Sequence, residues 1–399
     1  MRARAPLHVA VVGPVNVAQL EHRLAGRDAE TARRQPTRNV SAPGVIVDAL
    51  LDAGHRVTVV THLRGEPPLE LHGEALRVVR VPSRADRWAQ VGSRWRDETR
   101  AMARAVQGSG ADVVHTHWAY EAALAGVRSG LPHVATVRDA PLTVLRYYRT
   151  PMRVVRATMA YEFRARSSRA VLTAPSPYLA RAWQRQTLTR RPVRVVPNIA
   201  PDDFRGVARR APHPTFLEVS DAGARKNVRG LVRSFARVRA ELPGAELRVV
   251  GEGLGEDGEC ARWARAHGLA AGVVFLGPRT RPEVVAEMSS AWIHVHAALE
   301  ETFGNTLVEA MAAGVPVIAG TRSGAVPWVL DGGSAGALAD VTDDRALAAA
   351  MLALARSGAR RRELASRAQA HVRAAFSAAA VAERYADAYH DVVRGRRDG

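Results

Sequence analysis

A chain of 399 residues, 47% apolar and 24% charged, is long enough for two domains that each bury a core, and this composition excludes fibrous and disordered classes. Its one cysteine, Cys260, rules out an intramolecular disulfide and a cysteine-built zinc site, and suits a reducing cytoplasm. The net charge of +18 comes from arginines scattered along the chain, as a genome-wide compositional bias also produces, and no aromatic-rich basic repeat or zinc-finger spacing points to nucleic acid.

The opening MRARAPLHVAVVG mimics a basic leader with an apolar core, but it is short and has no small-residue cleavage site, so 7–12 reads as a first buried strand. No apolar run approaches the length that spans a bilayer. The connection over 13–44 is long, and Pro14, Asn16, Pro36, Asn39, Ser41, Pro43 and Gly44 mark it as a functional loop with a short helix between 18 and 34. A helix over 45–52 follows. Strands are then expected over 57–61, 76–81, 113–117, 133–137, 170–174 and 193–196, alternating with helical or loop segments, which predicts a parallel sheet with helices on both faces. The proline-broken stretch 197–214 reads as a junction, after which the rhythm restarts with strands over 215–219, 246–250, 273–276, 293–296, 315–319 and 337–338. A last helix, 378–393, sets Val381, Tyr385, Ala388, Tyr389 and Val392 on one face.

The segment 299–320, LEETFGNTLVEAMAAGVPVIAG, carries the most chemistry. It reads as a loop, a turn at Phe303-Gly304-Asn305, a helix over 306–313 ended by Gly314, and a strand entered through Pro316. Ligands of such units sit at the carboxyl ends of the strands, where the amides of Gly304, Asn305 and Thr306 and the helix dipole would attract a phosphate. Glu301 and Glu309 beside a phosphate would be repelled by it, so they are expected to face neutral hydroxyls. A ligand with both phosphates and sugar hydroxyls satisfies both conditions. Lys226, the one lysine among 57 basic residues, follows Arg225 just before a helix start, where two cations oppose the dipole unless they share an anion with it. His115 and His117 of HTHW point the same way on a strand, but no further ligands at metal spacing follow, so no metal site is expected. The helix-forming stretch 147–170 interleaves six arginines with Val154, Val155, Met159, Ala160 and Phe163; it could lie on an anionic membrane or simply cover the first domain.

Glu, seven residues, Glu, embedded in E-T-F-G-N-T-L-V-E-A-M-A-A-G-V-P-V, resembles the signature of family 4 retaining glycosyltransferases (glycosyl transferases group 1). The resemblance implies an α/β, GT-B fold: two doubly wound Rossmann-like domains facing each other across a cleft. It places an acceptor domain over 1–200, a nucleotide-sugar domain over 201–377, and the helix 378–399 back on the first domain. It implies that Lys226 binds and stabilises the leaving pyrophosphate; the arginine expected a few residues earlier falls near Ser220-Asp221, so either Arg225 replaces it or the charge is met differently. By the same resemblance Glu301 binds donor-sugar hydroxyls, Glu309 the ribose, the amides of Gly304, Asn305 and Thr306 the phosphates, and the stretch ending at Arg279 reads the base. Gly13, Gly44, His117 and Asp139 would line the cleft on the acceptor side. Arg138 stands where the family commonly has a histidine; it keeps a donor and a fixed charge but cannot shuttle protons. Pro43-Gly44 stands in place of a Gly-Gly pair, and Pro197-Asn198 resembles the turn into the second domain.

The expected reaction is transfer of a sugar, with retention and without a metal or other cofactor, from a nucleotide-diphosphate sugar to an unidentified acceptor hydroxyl. The expected partners are these two substrates, no nucleic acid, a peripheral contact with a membrane, and self-association no higher than a homodimer, the monomer included. Two other readings stay open: another GT-B chemistry such as a nucleotide-sugar epimerase, and a catalytically idle glycan- or membrane-binding protein.

Overall fold

A computed structural model describes residues 5–36, 42–204 and 210–397; Asn39 and Ser41 of the first loop and 205–209 of the junction lie outside the described residues. The chain divides into two compact units, Met1–Ile199 with Ala378–Gly399, and Ala200–Ser377.

The first unit is built on eight strands: β1 (His8–Val12), β2 (Arg56–Thr61), β3 (Leu69–His72), β4 (Leu76–Arg80), β5 (Val113–His117), β6 (His133–Thr136), β7 (Val171–Ala174) and β8 (Val193–Val195). Their order is β3-β4-β2-β1-β5-β6-β7-β8. Strands such as β5 and β6 are buried along their whole length, which is what helices on both faces require. The sheet is not wholly parallel, since β3 pairs antiparallel with β4. Only three residues join those two strands, too few for a crossover, and Gly73 N donates to Leu76 O to close the turn.

The helix expected from 45 starts three residues earlier, as Ala42–Asp52, so Pro43 and Gly44 lie in its first turn and not in the loop. Proline is tolerated there because its missing N–H would have no intrahelical partner. A Cβ on Gly44 would come within 2.4 Å of Gln19 Oε1, so the helix start packs directly against the Val17–Arg23 turn. The terminal helix Ala378–Arg397 buries Val381, Tyr385, Ala388 and Tyr389 in the same core as Ile46, Leu50, Val57 and Val113.

The second unit holds β9 (Thr215–Val219), β10 (Glu246–Val250), β11 (Val273–Gly277), β12 (Ile293–His296), β13 (Val317–Gly320) and β14 (Ala337–Ala339), in the order β11-β10-β9-β12-β13-β14, all parallel. One face packs on Leu231 and Phe235 of the helix Val228–Glu241 with Leu347 and Met351 of Asp344–Arg356. The other packs on Leu307 and Met311 of Asn305–Ala312 with Ala368 and Val372 of Gly358–Ala375.

The terminal helix is tied to the first sheet by a buried polar contact as well as by burial, the Tyr389 hydroxyl lying 2.8 Å from His115 Nδ1. Tyr389→Phe leaves that nitrogen without a partner and is expected to cost about 1–2 kcal/mol in denaturant unfolding; an unchanged midpoint would show that the contact contributes nothing.

Candidate functional site

In the second sheet the chain leaves β9 toward β10 on one side, while β12 lies on the other, so the loops after β9 and β12 diverge from neighbouring strands. A topological switch point of this kind opens a crevice at the carboxyl ends. After β9, Ala222 N donates to Glu252 O and Gly223 N to Asp221 Oδ1, which turns the chain into the short 3-10 turn Ala224–Lys226. Gly251, which opens the Gly-Glu-Gly turn after β10, lies against this loop: a Cβ there would meet Ser220 O at 1.6 Å. Asn227, in the left-handed region at φ 54°, donates its side-chain amide to Val341 O and starts the helix Val228–Glu241. After β12, the Glu301 backbone is held at both ends, its N–H donating to Ser323 O and its carbonyl accepting from Ala325 N.

These two loops bring Lys226, Arg225 and Glu301 together. Glu301 Oε1 lies 2.5 Å from Lys226 Nζ, 3.0 Å from Arg225 Nη1 and 3.3 Å from His296 Nε2. Arg225 Nη1 also donates to the Glu300 carbonyl at 2.6 Å. Burial by itself would push the Glu301 carboxyl up, but Lys226, His296 and Arg225 prevail and hold it well below the usual carboxylate range. Within the protein itself, Glu301 thus faces cations. Two of them converge on one carboxylate oxygen. The following turn directs further donors to the same end of the sheet: Gly304, at φ 95°, opens the helix Asn305–Ala312, and Thr306 Oγ1 lies 3.4 Å from His296 Nδ1.

Glu309, on that helix, belongs to a second cluster. Its Oε1 lies 2.8 Å from Arg281 Nη1, and Arg281 makes a bidentate pair with Asp203 through Nε and Nη2 while stacking over Phe204 at 4.3 Å. Burial pushes the Glu309 carboxyl up, against the pull of Arg281. Arg279, singled out in the sequence with the base-reading stretch, has its Nη1 3.4 Å from the Pro278 carbonyl, while Arg281, two residues on, pairs with Glu309. The capping box of Thr280 and Glu283 marks where the helix Arg281–Ser290 starts, and reading it would have placed Arg281 at the rim.

In the first unit the switch point lies between β1 and β5. Gly13 follows β1, where a Cβ would approach His117 Cβ to 3.2 Å. His117 Nδ1 lies 3.0 Å from Arg138 Nη2, and Arg138 also donates to Asn198 Oδ1 and lies over the Trp118 ring at 6.0 Å. Since guanidinium only donates, His117 Nδ1 accepts, and burial followed by the neighbouring His115 and Arg138 keeps its ring neutral. His115 is held between Tyr389 and Thr136. Asn198 of the Pro-Asn turn therefore has a partner in Arg138. Asp139 accepts from the Tyr120 hydroxyl at 2.8 Å, with burial pushing its carboxyl up. A cavity of about 230 Å³ opens beside these residues, walled by Asn16, His62, Arg80 and Trp118. Gly44, buried in its helix, is not among the cavity's walls. Among the described residues no cluster of three or more His, Cys, Asp or Glu has metal-binding geometry.

The two acids of the motif are expected to respond oppositely to pH. Glu301, depressed in the fold, contributes stability that is complete above the ordinary glutamate value of about 4.3 and lost as pH falls through its lower folded value. The advantage of wild type over Glu301→Gln in urea should therefore be flat from neutrality to about pH 5 and shrink in acid. Glu309, raised in the fold, has the opposite sign, and its wild-type advantage over Glu309→Gln should grow as pH falls through the raised value. Arg281→Met strands Glu309 in its buried site and should cost about 2–4 kcal/mol at pH 7 by the same measurement.

Comparison with known proteins agrees with this geometry. The profile of glycosyl transferases group 1 matches residues 201–371, and that of glycosyltransferase family 4 matches 45–204. A D-inositol 3-phosphate glycosyltransferase of Corynebacterium kroppenstedtii is 34% identical over 170 residues, 41% of this chain and 37% of that protein. An N-acetyl-alpha-D-glucosaminyl L-malate synthase of Bacillus anthracis is 30% identical over 184 residues, 46% of this chain and 47% of that protein. The alignment thus spans less than half the length of either relative. Among solved structures, a sucrose-phosphate synthase from Thermosynechococcus elongatus superposes with a TM-score of 0.74 at 20% identity, covering 98% of this chain and 100% of the other. Anabaena HepE, solved with UDP and glucose, gives 0.68 at 17% identity, covering 96% and 100%. The fold is that of the GT-B glycosyltransferases, and the chain belongs to glycosyl transferases group 1, family 4.

Proposed function

We propose that the protein is a retaining glycosyltransferase that moves a sugar from a nucleotide-diphosphate sugar to an acceptor hydroxyl. The observation that carries this reading is the convergence of Lys226 and Arg225 on Glu301 at the switch point, beside the start of the helix Asn305–Ala312. Such a site offers a diphosphate two cations and helix amides, and offers the attached sugar a carboxylate that accepts from hydroxyls. The structures of HepE with UDP and with UDP-glucose support this choice of donor class.

In this reading the donor diphosphate draws Lys226 and Arg225 toward itself, which frees Glu301 for the sugar hydroxyls. Glu309 accepts from the ribose. The bond from the anomeric carbon to the diphosphate oxygen breaks, the acceptor oxygen bonds to that carbon on the same face, and the acceptor proton passes to the departing phosphate oxygen. Lys226 and the amides of Gly304, Asn305 and Thr306 stabilise the charge that develops on the leaving group. The first-unit set of Gly13, His117, Arg138 and Asp139 is assigned to the acceptor, and no step asks for a metal or other cofactor.

The assignment separates two kinetic constants. Lys226→Ala should lower kcat about 10²-fold or more, as the loss of a leaving-group contact does, whereas Glu309→Gln should weaken nucleoside diphosphate binding about tenfold with a smaller effect on kcat. Unchanged kinetics in both variants would contradict it.

The acceptor, on this reading, is met at a membrane surface. Residues 141–191 carry eleven arginines and one acid, Glu162, which is itself paired with Arg94 and Arg166. Five of the six large apolar side chains exposed among the described residues lie on or beside this segment, including Leu188 at 80%, Trp88 at 64% and Val154 at 51%. Contacts join the stretches that carry them: Arg87 reaches Met152, the Leu142 amide and the Tyr161 hydroxyl both bond to Gln186, and Arg164 donates to Leu188 O. Basic residues around exposed apolar tips suit an anionic bilayer. Among the described residues, no helix is long and apolar enough to cross a membrane. The protein should sediment with vesicles containing phosphatidylglycerol and not with neutral ones, and the joint variant Trp88→Ser, Leu188→Ser should lose most of that binding. Equal sedimentation with both vesicle types, or retention on nucleic acid only, would contradict this surface assignment.

A further inference from the structure

Behind Glu301 lie two ionisable side chains that the reaction does not use. Glu218, on β9, is fully buried, and neither of its carboxylate oxygens has a hydrogen-bond partner. The Ser220 hydroxyl and the Ala297 amide are close by but short of hydrogen-bonding geometry. His296, at the end of β12 and 1% exposed, stands between the two acids: Nδ1 is 3.8 Å from Glu218 Oε1 and 3.4 Å from Thr306 Oγ1, while Nε2 is 3.3 Å from Glu301 Oε1. The β9–β12 ladder ends at Leu217 and His294, so the strands part just where Glu218 and His296 need room. The remaining polar groups around the ring are Lys226 and Arg225 beyond Glu301, and His294, whose Nδ1 lies 3.0 Å from Leu217 O.

Nothing in the packing calls for a carboxyl at 218. A buried acid without hydrogen-bond partners weakens a fold, and an apolar residue of the same size would cost less in a sheet interior. Burial drives its carboxyl up, with His296 as the foremost counter-influence. Groups retained against stability tend to lie where a site requires them. The site supplies a reason, on the reading proposed above. When the diphosphate takes Lys226 and Arg225 away, Glu301 loses both of its fixed cations, and among the described residues His296 is the side chain still paired with it.

We propose that Glu218 and His296 are positioning residues, a buried carboxylate–imidazole support that keeps the Glu301 carboxylate aimed at the donor sugar once Lys226 and Arg225 have turned to the diphosphate. The support acts on the sugar and leaves the nucleotide contacts alone. His296 Nε2 fixes the Glu301 oxygen, the Thr306 hydroxyl holds Nδ1 on the other side of the ring, and Glu218 backs that side as the acid 3.8 Å from Nδ1.

The test compares wild type with His296→Leu, His296→Gln and Glu218→Met, using as probes UDP, GDP and the nucleotide sugars UDP-glucose, UDP-N-acetylglucosamine and GDP-mannose. In His296→Leu the preference for the tightest nucleotide sugar over its own diphosphate should fall about tenfold, and turnover by about 10–100-fold, while diphosphate affinity stays within about threefold. His296→Gln, which restores an N–H toward Glu301, should recover most of both. Glu218→Met should hold or raise the melting temperature by a few °C while turnover falls about 5–20-fold, because an unpartnered buried acid is removed. A sugar preference and turnover unchanged in His296→Leu, or a Glu218→Met variant whose stability and activity fall together, would overturn the support while leaving the glycosyltransferase reading intact. Failure of wild type to bind any diphosphate or nucleotide sugar of the panel would overturn that reading, and the support with it.

Discussion

Two half-buried cations and one buried carboxylate meet where the loops after β9 and β12 diverge, and the candidate site of the second unit depends on that contact. Lys226 and Arg225 stand together beside a helix start, and cations and helix dipole favour the same kind of ligand, an anion. The loop geometry serves this placement: Gly251 lets the turn after β10 approach Ser220, and the Asn227 cap fixes where the helix behind Lys226 begins. Glu301 in turn is pinned through its own backbone to Ser323 and Ala325.

The closed cluster also sets the energetic terms of ligand binding. An anion that recruits Lys226 and Arg225 must separate them from Glu301, so part of its interaction energy is spent opening an existing contact. What it gains is a carboxylate set free beside the place where a sugar would lie. On the proposed function, binding of one half of the donor thereby prepares the contact for the other half. Glu309 has no such exchange to make with Lys226; its partner is Arg281, which Asp203 and Phe204 hold from behind.

Much of this was legible from residues alone, and the exceptions have physical causes. Buried strands such as β1 and β10 announce themselves by the largely apolar runs they carry, VAVV and LRVV, each followed by a glycine. β3 does not, because a four-residue edge strand reading LELH after two prolines has too little pattern to distinguish it from a loop. The Glu301 to Glu309 spacing and the isolated Lys226 could be picked out, but their contact partners could not. Local sequence treats Glu301 and Lys226 as facing separate parts of a ligand, whereas sheet order brings residues 75 apart into direct contact. Arg281 was hidden behind Arg279 although its helix start carried a readable capping box. Glu218 and His296 carried no local signal, since an acid in one strand and a histidine in another acquire meaning only through the register that joins β9 to β12.

The most direct test of this account is a crystal structure of the protein with a nucleoside diphosphate bound, UDP and GDP being tried in turn. The account predicts that Lys226 Nζ leaves Glu301 for a phosphate oxygen, with the diphosphate at the amides of Gly304 to Thr306 and Glu301 still held by His296. A diphosphate bound elsewhere, with the Lys226–Glu301 contact closed as it is here, would contradict it.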